Sequence, residues 1–174
     1  TRAGAIVKSV VNTIQIPVTV KFRLGWDQNQ LNVVEFAQVC QENGAKALAI
    51  HGRTVKQGFR GVVNYELIGR VKQAVSIPVI VSGDINNAQR AQEVLQYTGG
   101  DGIMIGRSSK GSMWIFADIL LGLSGCVSRE QPDLDWLKTF AFCYLEFMVK
   151  FKGPEKAVKE FRKYLSWIFK GLRG

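Results

Sequence analysis

Polar residues follow four short apolar runs of this chain, and each set could bind a ligand or take part in catalysis. Lys21 and Arg23 close the first run, and His51, the only histidine, follows the second with Arg53 close behind. A cation such as Lys21 could bind an electron-rich ring edge or a phosphate, or it could pair with an internal carboxylate. His51 is either a ligand-binding or catalytic residue or a core histidine with satisfied hydrogen bonds.

The third and fourth sets combine glycine with polar residues. Ser82, Gly83 and Asp84 follow one apolar run, and Gly106 and Arg107 follow the next. Glycine lets the backbone N–H groups approach an anion closely, and an arginine supplies positive charge. In TIM barrels the loops after the last two strands often form a phosphate site. These two sets therefore predict a phosphate site.

The four runs themselves predict buried parallel strands. They are short, nearly continuous in apolar residues, and β-branched, as strands covered on both faces are. The segments between them have apolar residues at helical spacing, for example Val33, Phe36, Ala37 and Cys40. Asn86 and Asn87 could cap a later helix, and Gly99-Gly100 could end it. The predicted strands are Pro17–Phe22, Ala47–Ile50, Pro78–Val81 and Gly102–Ile105.

This alternation of strand and helix predicts an α/β fold of the TIM-barrel type. No strand is followed by Gly-x-Gly-x-x-Gly, which argues against a dinucleotide-binding Rossmann domain. A complete eight-fold barrel needs about 250 residues, so four βα units amount to a half barrel. The chain also begins without methionine, and we expect it to be part of a longer protein.

The chain beyond the fourth unit predicts a separate helical tail. A linker rich in small and polar residues comprises Gly122, Ser124, Gly125 and the segment from Ser128 to Asp133. We expect a domain boundary after residue 124, giving domains 1–124 and 125–174. An aromatic-rich helix from Leu134 to Phe151 and a second helix from about Glu155 to Phe169 should follow. Residues 138–174 hold nine Lys and Arg against three Glu. This excess indicates either a polyanionic partner or a solvated helical face.

Composition limits the environment of the protein. The net charge is +9 and 47% of the residues are hydrophobic, as is ordinary for a folded domain. The longest apolar stretch, Trp114 to Val127, is too short to span a membrane as a helix, so we expect no membrane association. Three widely spaced cysteines form neither a zinc motif nor a disulfide framework, which favours the cytoplasm.

Four segments together resemble consecutive signatures of the dihydrouridine synthase family. They lie in order at barrel spacing, and the resemblance extends over residues 5 to 170, including two segments similar to the family's helical domain. The signature segments read Val-Thr-Val-Lys-Phe-Arg-Leu-Gly-Trp, Ile-His-Gly-Arg-Thr, Pro-Val-Ile-Val-Ser-Gly-Asp-Ile and Gly-Ile-Met-Ile-Gly-Arg-Ser-Ser-Lys-Gly-Ser-Met-Trp-Ile-Phe.

The resemblance implies the fifth to eighth strands of an FMN-binding barrel that reduces uridine in tRNA with NADPH as reductant. Lys21 would hold the pyrimidine end of the flavin, and His51 would lie near both flavin and substrate uracil. Arg23 and Arg53 would bind substrate. The ribityl phosphate would be held by Ser82, Gly83, Asp84, Gly106 and Arg107.

The resemblance is incomplete in three respects. The family commonly has Asn at the position of Ser82 and Pro at that of Met113. Its catalytic acid is a cysteine in the loop after the fourth strand, which would lie upstream of Thr1, so the N-terminal half of the barrel is missing and the isolated chain should be inactive. Two alternatives stay open: another FMN- or phosphate-binding barrel oxidoreductase, or a non-catalytic RNA-binding remnant.

Overall fold

The computed structural model describes residues 1–126 and 132–171. These residues group into two compact units, Thr1–Gly106 and Arg107–Gly174. The predicted linker is tested only in part: Gly122 belongs to the helix Ile115–Leu123 instead, and residues 128–131 lie outside the described residues. The domain boundary expected after residue 124 stays a prediction, because a compact unit and a functional domain are different properties.

The first unit alternates helices and strands along the chain. Each of its first three strands is followed by a helix, and helices that are neighbours in the sequence pack on one another. This is the predicted βα alternation. The elements are α1 (Arg2–Thr13), β1 (Thr19–Arg23), α2 (Val33–Glu42), β2 (Ala47–His51), α3 (Tyr65–Ala74), β3 (Val79–Ser82), α4 (Ala88–Thr98) and β4 (Gly102–Met104).

The four strands form one parallel sheet in the order β1-β2-β3-β4. One face is fully covered over the two central strands, where Leu48, Ile50, Val79 and Val81 are completely buried. Alternate residues point to the opposite face, where burial is less complete. A sheet covered by helices on one face only is what half of a βα barrel presents.

Local sequence explains where the helices begin and end. The Asn64 side chain accepts a hydrogen bond from Leu67 N–H, and the Asn87 side chain accepts one from Arg90 N–H, so both asparagines cap helix N-termini. Gly99 ends α4 in the left-handed conformation, with φ +65°. A residue with a Cβ adopts this conformation at a cost, so glycine is favoured there. Of the predicted caps of α4, Asn87 and Gly99 are confirmed.

The second unit is helical. It contains a short 3-10 helix (Arg107–Ser109), α5 (Ile115–Leu123), α6 (Leu134–Lys152) and α7 (Pro154–Ile168). The predicted break at Gly153-Pro154 is confirmed, and proline occupies the first turn of α7, where its missing N–H costs no helical hydrogen bond. α6 and α7 pack together around Leu137, Ala157 and Phe161.

The predicted fold class is confirmed as a parallel α/β sheet of the TIM-barrel type with a helical tail. In the described part of the chain, no helix has both the length and the apolar composition needed to cross a membrane.

Candidate active site

Strand register places several predicted site residues in one row across the sheet. Arg23 of β1 pairs with His51 of β2, His51 with Ser82 of β3, and Ser82 with Met104 of β4. Paired residues of parallel strands point to the same face, so these four side chains lie on the less covered face, at the carboxyl ends of the strands. Ligands of parallel α/β folds bind at this edge.

Lys21 belongs to the preceding row on the same face. It pairs with Ala49, which pairs with Ile80 and then Gly102. Lys21 is exposed, and its row neighbours are small or apolar. The register therefore brings the Lys21 ammonium and the polar row of Arg23, His51 and Ser82 to one face, as the alternation of the sequence predicts.

His51 is buried among loop residues at the end of β2, with 7% of its surface exposed. Its ring centroid lies 6.1 Å from that of Phe59. A Cβ built on Gly83 would lie 3.3 Å from His51 Cδ2, so the imidazole also packs against the Gly83 backbone. The catalytic and ligand-binding role of His51 stays a prediction.

Arg53 is buried, with 2% of its surface exposed, and its guanidinium binds the protein itself. Nη1 and Nη2 donate to the two carboxylate oxygens of Asp84 at 3.0 and 2.5 Å. Nε and Nη2 also donate to the backbone carbonyls of Arg60 and Gly61. The hydrogen bond with Asp84 raises the pKa of Arg53 further above its usual value. Arg53, predicted to bind substrate, and Asp84, predicted to bind cofactor, thus form a bidentate ion pair with each other.

Arg23 is half-buried and donates from Nη1 to the backbone carbonyls of Thr54 and Gly58 at 2.8 and 2.7 Å. Its guanidinium also lies 5.5 Å from the centroid of the Phe59 ring. Arg23 and Arg53 therefore both bind the connection between β2 and α3. In this conformation each arginine fixes a loop at the carboxyl edge of the sheet.

The turn after β3 has unusual backbone geometry. Gly83 has φ +137°, and Asp84 has φ +48°, the only positive value at a non-glycine residue in the described part of the chain. The Tyr65 hydroxyl donates to the Gly83 carbonyl, and burial raises the pKa of this phenol. A Cβ on Gly83 would come within 2.9 Å of Val63. Protein fills the position that a Gly83 Cβ would occupy, so tight packing favours glycine here. The role of Gly83 in phosphate binding stays a prediction.

Gly106 differs from Gly83. A Cβ built on Gly106 has no heavy atom within 4 Å. Since β3 and β4 are paired neighbours, Gly83 and Gly106 follow adjacent strand ends, as a shared phosphate site requires. Arg107 is exposed at the start of the 3-10 helix of the second unit.

Three further residues at this edge of the sheet were not among the predicted site residues. Tyr65 supports the Gly83 carbonyl, Phe59 lies beside His51, and Trp26 is exposed in the loop after β1. A search for aromatic residues within the loops that follow each strand, and not only at the strand ends, would have found Phe59 and Trp26.

Comparison with known proteins identifies the family. The family model described as "Dihydrouridine synthase (Dus)" matches residues 2–174. The chain is 41% identical over 172 residues to "Probable tRNA-dihydrouridine synthase 1" of Synechocystis sp., covering 99% of this chain and 48% of that protein. It is 38% identical over 165 residues to "tRNA-dihydrouridine synthase B" of Vibrio vulnificus, covering 95% of this chain and 51% of that protein.

The similarity therefore covers nearly all of this chain but only part of each relative. The chain spans about half the length of the curated relatives it matches. Three observations agree on one family. They are the order of the strand-end motifs, the parallel sheet that places these motifs on one edge, and the family match along almost the whole chain. The chain belongs to the dihydrouridine synthase (Dus) family.

Proposed function

We propose that this chain is the C-terminal part of a tRNA-dihydrouridine synthase, which reduces uridine in tRNA to 5,6-dihydrouridine with FMN as cofactor and NADPH as reductant. The observation that carries the proposal is the pairing of β3 with β4, which sets the Gly83 and Gly106 turns side by side on the edge that bears His51 and Lys21. The names of the relatives supply the substrate.

The residue types on this edge fit a flavin. The Lys21 ammonium can donate hydrogen bonds to the oxygen-rich pyrimidine end of the ring system, and Ser82 and the turn after it offer donors to the phosphate side. The open space beside Gly106 permits close approach of an anion to the backbone. Arg107 follows directly in the sequence and adds positive charge.

The chemistry divides between cofactor and protein. Bound FMN supplies hydride transfer between the nicotinamide reductant and the uracil ring. Lys21 orients the ring system, His51 lies beside the reacting base, and Arg23 contributes to substrate binding. Arg53 and Asp84 contribute indirectly, because the Arg53 guanidinium and the Asp84 carboxylate bind each other. Their contribution is the shape of the turn after β3 and of the loop after β2.

A proton donor for the substrate carbon is expected outside this chain. Cys40 is fully buried in α2, and burial raises the pKa of its thiol, so it is unsuited to acid catalysis at the sheet edge. Cys126 and Cys143 belong to the second unit. We propose that the acid is a cysteine in the missing N-terminal half, and that residues 1–174 alone are inactive.

We further propose that the two parts of the chain have different functions. Residues 1–124 form the C-terminal half of the FMN-binding barrel, and residues 125–174 form part of a tRNA-binding helical domain. The positive excess of residues 138–174 supports contact with phosphates. The unpaired cysteines support a reducing compartment, the cytoplasm.

The proposal is tested in the whole reading frame that includes this chain. We expect the purified protein to carry FMN and to form dihydrouridine in unmodified tRNA. Lys21→Ala should weaken FMN binding about tenfold or more, as loss of a charge-assisted hydrogen bond does, whereas Lys8→Ala, an exposed lysine on α1, should leave binding unchanged. Fluorescence titration of apo-protein with FMN measures both.

Two outcomes would separate the alternatives. A protein that binds FMN but neither binds nor modifies tRNA would be a different barrel oxidoreductase. A protein that retards tRNA on a gel but binds no flavin would be a non-catalytic RNA-binding remnant. Either result contradicts the proposed function.

A further inference from the structure

The connection between β2 and α3, residues 52–64, is unusually long. Loops from strand to helix in α/β units typically contain about 2–6 residues, and much longer loops are mostly functional or disordered. This loop is not loosely held: Thr54 N–H donates to the Gln57 side chain, and Gln57 N–H donates back to the Thr54 hydroxyl. A functional loop is therefore the better explanation.

Two arginines and a neighbouring loop fix the backbone of this connection. Arg23 binds the carbonyls of Thr54 and Gly58, and Arg53 binds the carbonyls of Arg60 and Gly61. On the other side, two N–H groups of the loop donate to carbonyls of the loop after β1. These bonds run from Val55 to Gly25 and from Lys56 to Trp26, at 3.0 and 2.9 Å. A loop fixed in this way loses little conformational freedom when a partner binds.

The side chains that this loop presents to solvent are apolar, aromatic and cationic. Phe59 is 58% exposed and Val62 is 86% exposed, and Trp26 on the neighbouring loop is 54% exposed. Exposed apolar groups of this size, grouped on two hydrogen-bonded loops, indicate a binding surface. We define the loop patch as Trp26, Val55, Lys56, Phe59, Arg60 and Val62.

The charge of the loop patch is positive. Lys56 and Arg60 are both exposed. Asp27, an acidic neighbour, is paired with Lys56 through a contact of 2.7 Å, so Arg60 sets the net sign. Aromatic rings beside cations are the combination that binds single-stranded nucleic acid, since bases stack on rings and phosphates bind cations.

We propose that the loop patch binds the RNA nucleotides that flank the reacting uridine, with bases stacked on Trp26 and Phe59 and a phosphate bound by Arg60. The inference rests on the proposed function and adds to it a specific RNA-binding surface. Its location supports it, because the Phe59 ring lies next to His51, at the edge of the sheet where the reacting base is proposed to lie. A nucleotide adjoining that base must pass over the same edge.

The test compares tRNA affinity among variants of the whole reading frame, measured by filter binding at several salt concentrations. Trp26→Ala should weaken binding about tenfold, the loss expected for one stacked base. Arg60→Ala should weaken binding and lower the salt-dependence slope by about one, as loss of one phosphate contact does. Tyr97→Ala and Arg70→Ala are the matched controls, since both residues are exposed on the helical layer, and neither should change affinity.

FMN content and oligomeric state, measured on the same samples, distinguish the possible failures. If both loop variants keep wild-type tRNA affinity while wild-type protein forms dihydrouridine, the loop patch proposal is overturned and the proposed function stands. If Trp26→Ala changes only the oligomeric state, the patch binds protein instead of RNA. If wild-type protein retains neither tRNA nor FMN, both proposals fail together.

Discussion

The pair of Arg53 and Asp84 shows how burial decides what an arginine can do. The guanidinium is buried, always charged, and bound to Asp84 and two carbonyls, while the Asp84 side chain is 44% exposed. Removing Asp84 leaves a buried cation without its counter-ion, whereas removing Arg53 leaves a carboxylate that water can reach. The two losses are therefore unequal.

We predict that Asp84→Ala lowers the free energy of unfolding by about 1–3 kcal/mol, less than for a fully buried pair because Asp84 is partly solvated. Urea denaturation followed by circular dichroism measures the loss. The control is Asp135→Ala, which removes a surface pair with Lys138 and should cost well under about 1 kcal/mol. Equal losses in the two variants would mean that the buried pair contributes no more than a surface one.

At the residue scale, sequence indicated where polar groups gather but not what they bind. Side chains alternate between the two faces along a strand, and parallel register aligns neighbouring strands. Together these two rules place Lys21, Arg23 and His51 on one face of the sheet. They could not reveal that Arg53 faces Asp84, since the two residues are distant in sequence and meet only through the adjacent ends of β2 and β3. The roles of these residues in binding stay predictions.

At the scale of elements, Gly111 shows a helix approaching a loop too closely for any side chain. A Cβ on Gly111 would lie 2.4 Å from the backbone carbon of Trp167, near the end of α7. Lys110, the preceding residue, places its ammonium 5.0 Å from the centroid of the Trp167 ring. The end of α7 is thus held against this loop by both backbone packing and a cation–π contact.

Gly125 provides a matched control for Gly111, because both have φ +74° but a Cβ on Gly125 meets nothing within 4 Å. Both alanine variants pay the cost of a left-handed residue, about 1–2 kcal/mol. We predict that Gly111→Ala loses about 1–3 kcal/mol more, because the added methyl group overpacks the loop against α7. Thermal unfolding of the two variants measures the difference, and coincident transitions would contradict the close approach.

Asp101, directly before β4, binds both helix α3 and the start of strand β3. Its carboxylate accepts hydrogen bonds from Lys72 of α3, at 2.9 and 2.7 Å, and from the backbone N–H of Val79 at the start of β3. The hydrogen bond from Lys72 is the main cause that lowers the pKa of Asp101 below its usual 3.8. A carboxylate with a lowered folded-state pKa stabilises the fold above its unfolded pKa, and this contribution is lost as pH falls through the folded value.

We therefore predict that Asp101→Asn is less stable than wild type at neutral pH and that the gap narrows as pH drops below about 4. Urea denaturation between about pH 7 and pH 3 measures the gap. Asp135→Asn, at a carboxylate that is 91% exposed, should give only a small difference in stability. A gap for Asp101→Asn that stays constant with pH would show that charge at Asp101 contributes nothing.

The observed ends of helices and strands lie close to the predicted ones where the local sequence signals are strong. The observed strands differ from the predicted ones by at most two residues at either end, and the break before α7 falls at Gly153-Pro154 as expected. Side-chain burial in α7 was harder to foresee. Val158, Phe161, Leu165 and Ile168 are apolar residues at helical spacing in α7. Phe161 and Ile168 are buried, but Val158 and Leu165 remain exposed. The spacing of apolar residues predicts which face of a helix is apolar, but the burial of that face depends on which neighbouring elements cover it.

At the scale of the whole molecule, the sheet leaves two strands with one partner each. Among the described residues, β1 pairs only with β2, and β4 pairs only with β3. The backbone groups on the outer sides of β1 and β4 can therefore pair with another chain. Ile80 and Met104 are also partly exposed on the inner face of the sheet. Open edges beside partly exposed apolar groups favour association.

We predict that the isolated 174-residue chain self-associates, with an apparent mass in size-exclusion chromatography with light scattering that rises with protein concentration. Met104→Lys places a charge on edge strand β4 and should shift the population toward monomer, because a buried charge opposes strand pairing between copies. Tyr97→Lys adds the same charge on an exposed position of α4 and should leave the mass unchanged. A wild-type chain that stays monomeric at every concentration would mean that the open edges of β1 and β4 are protected without a partner.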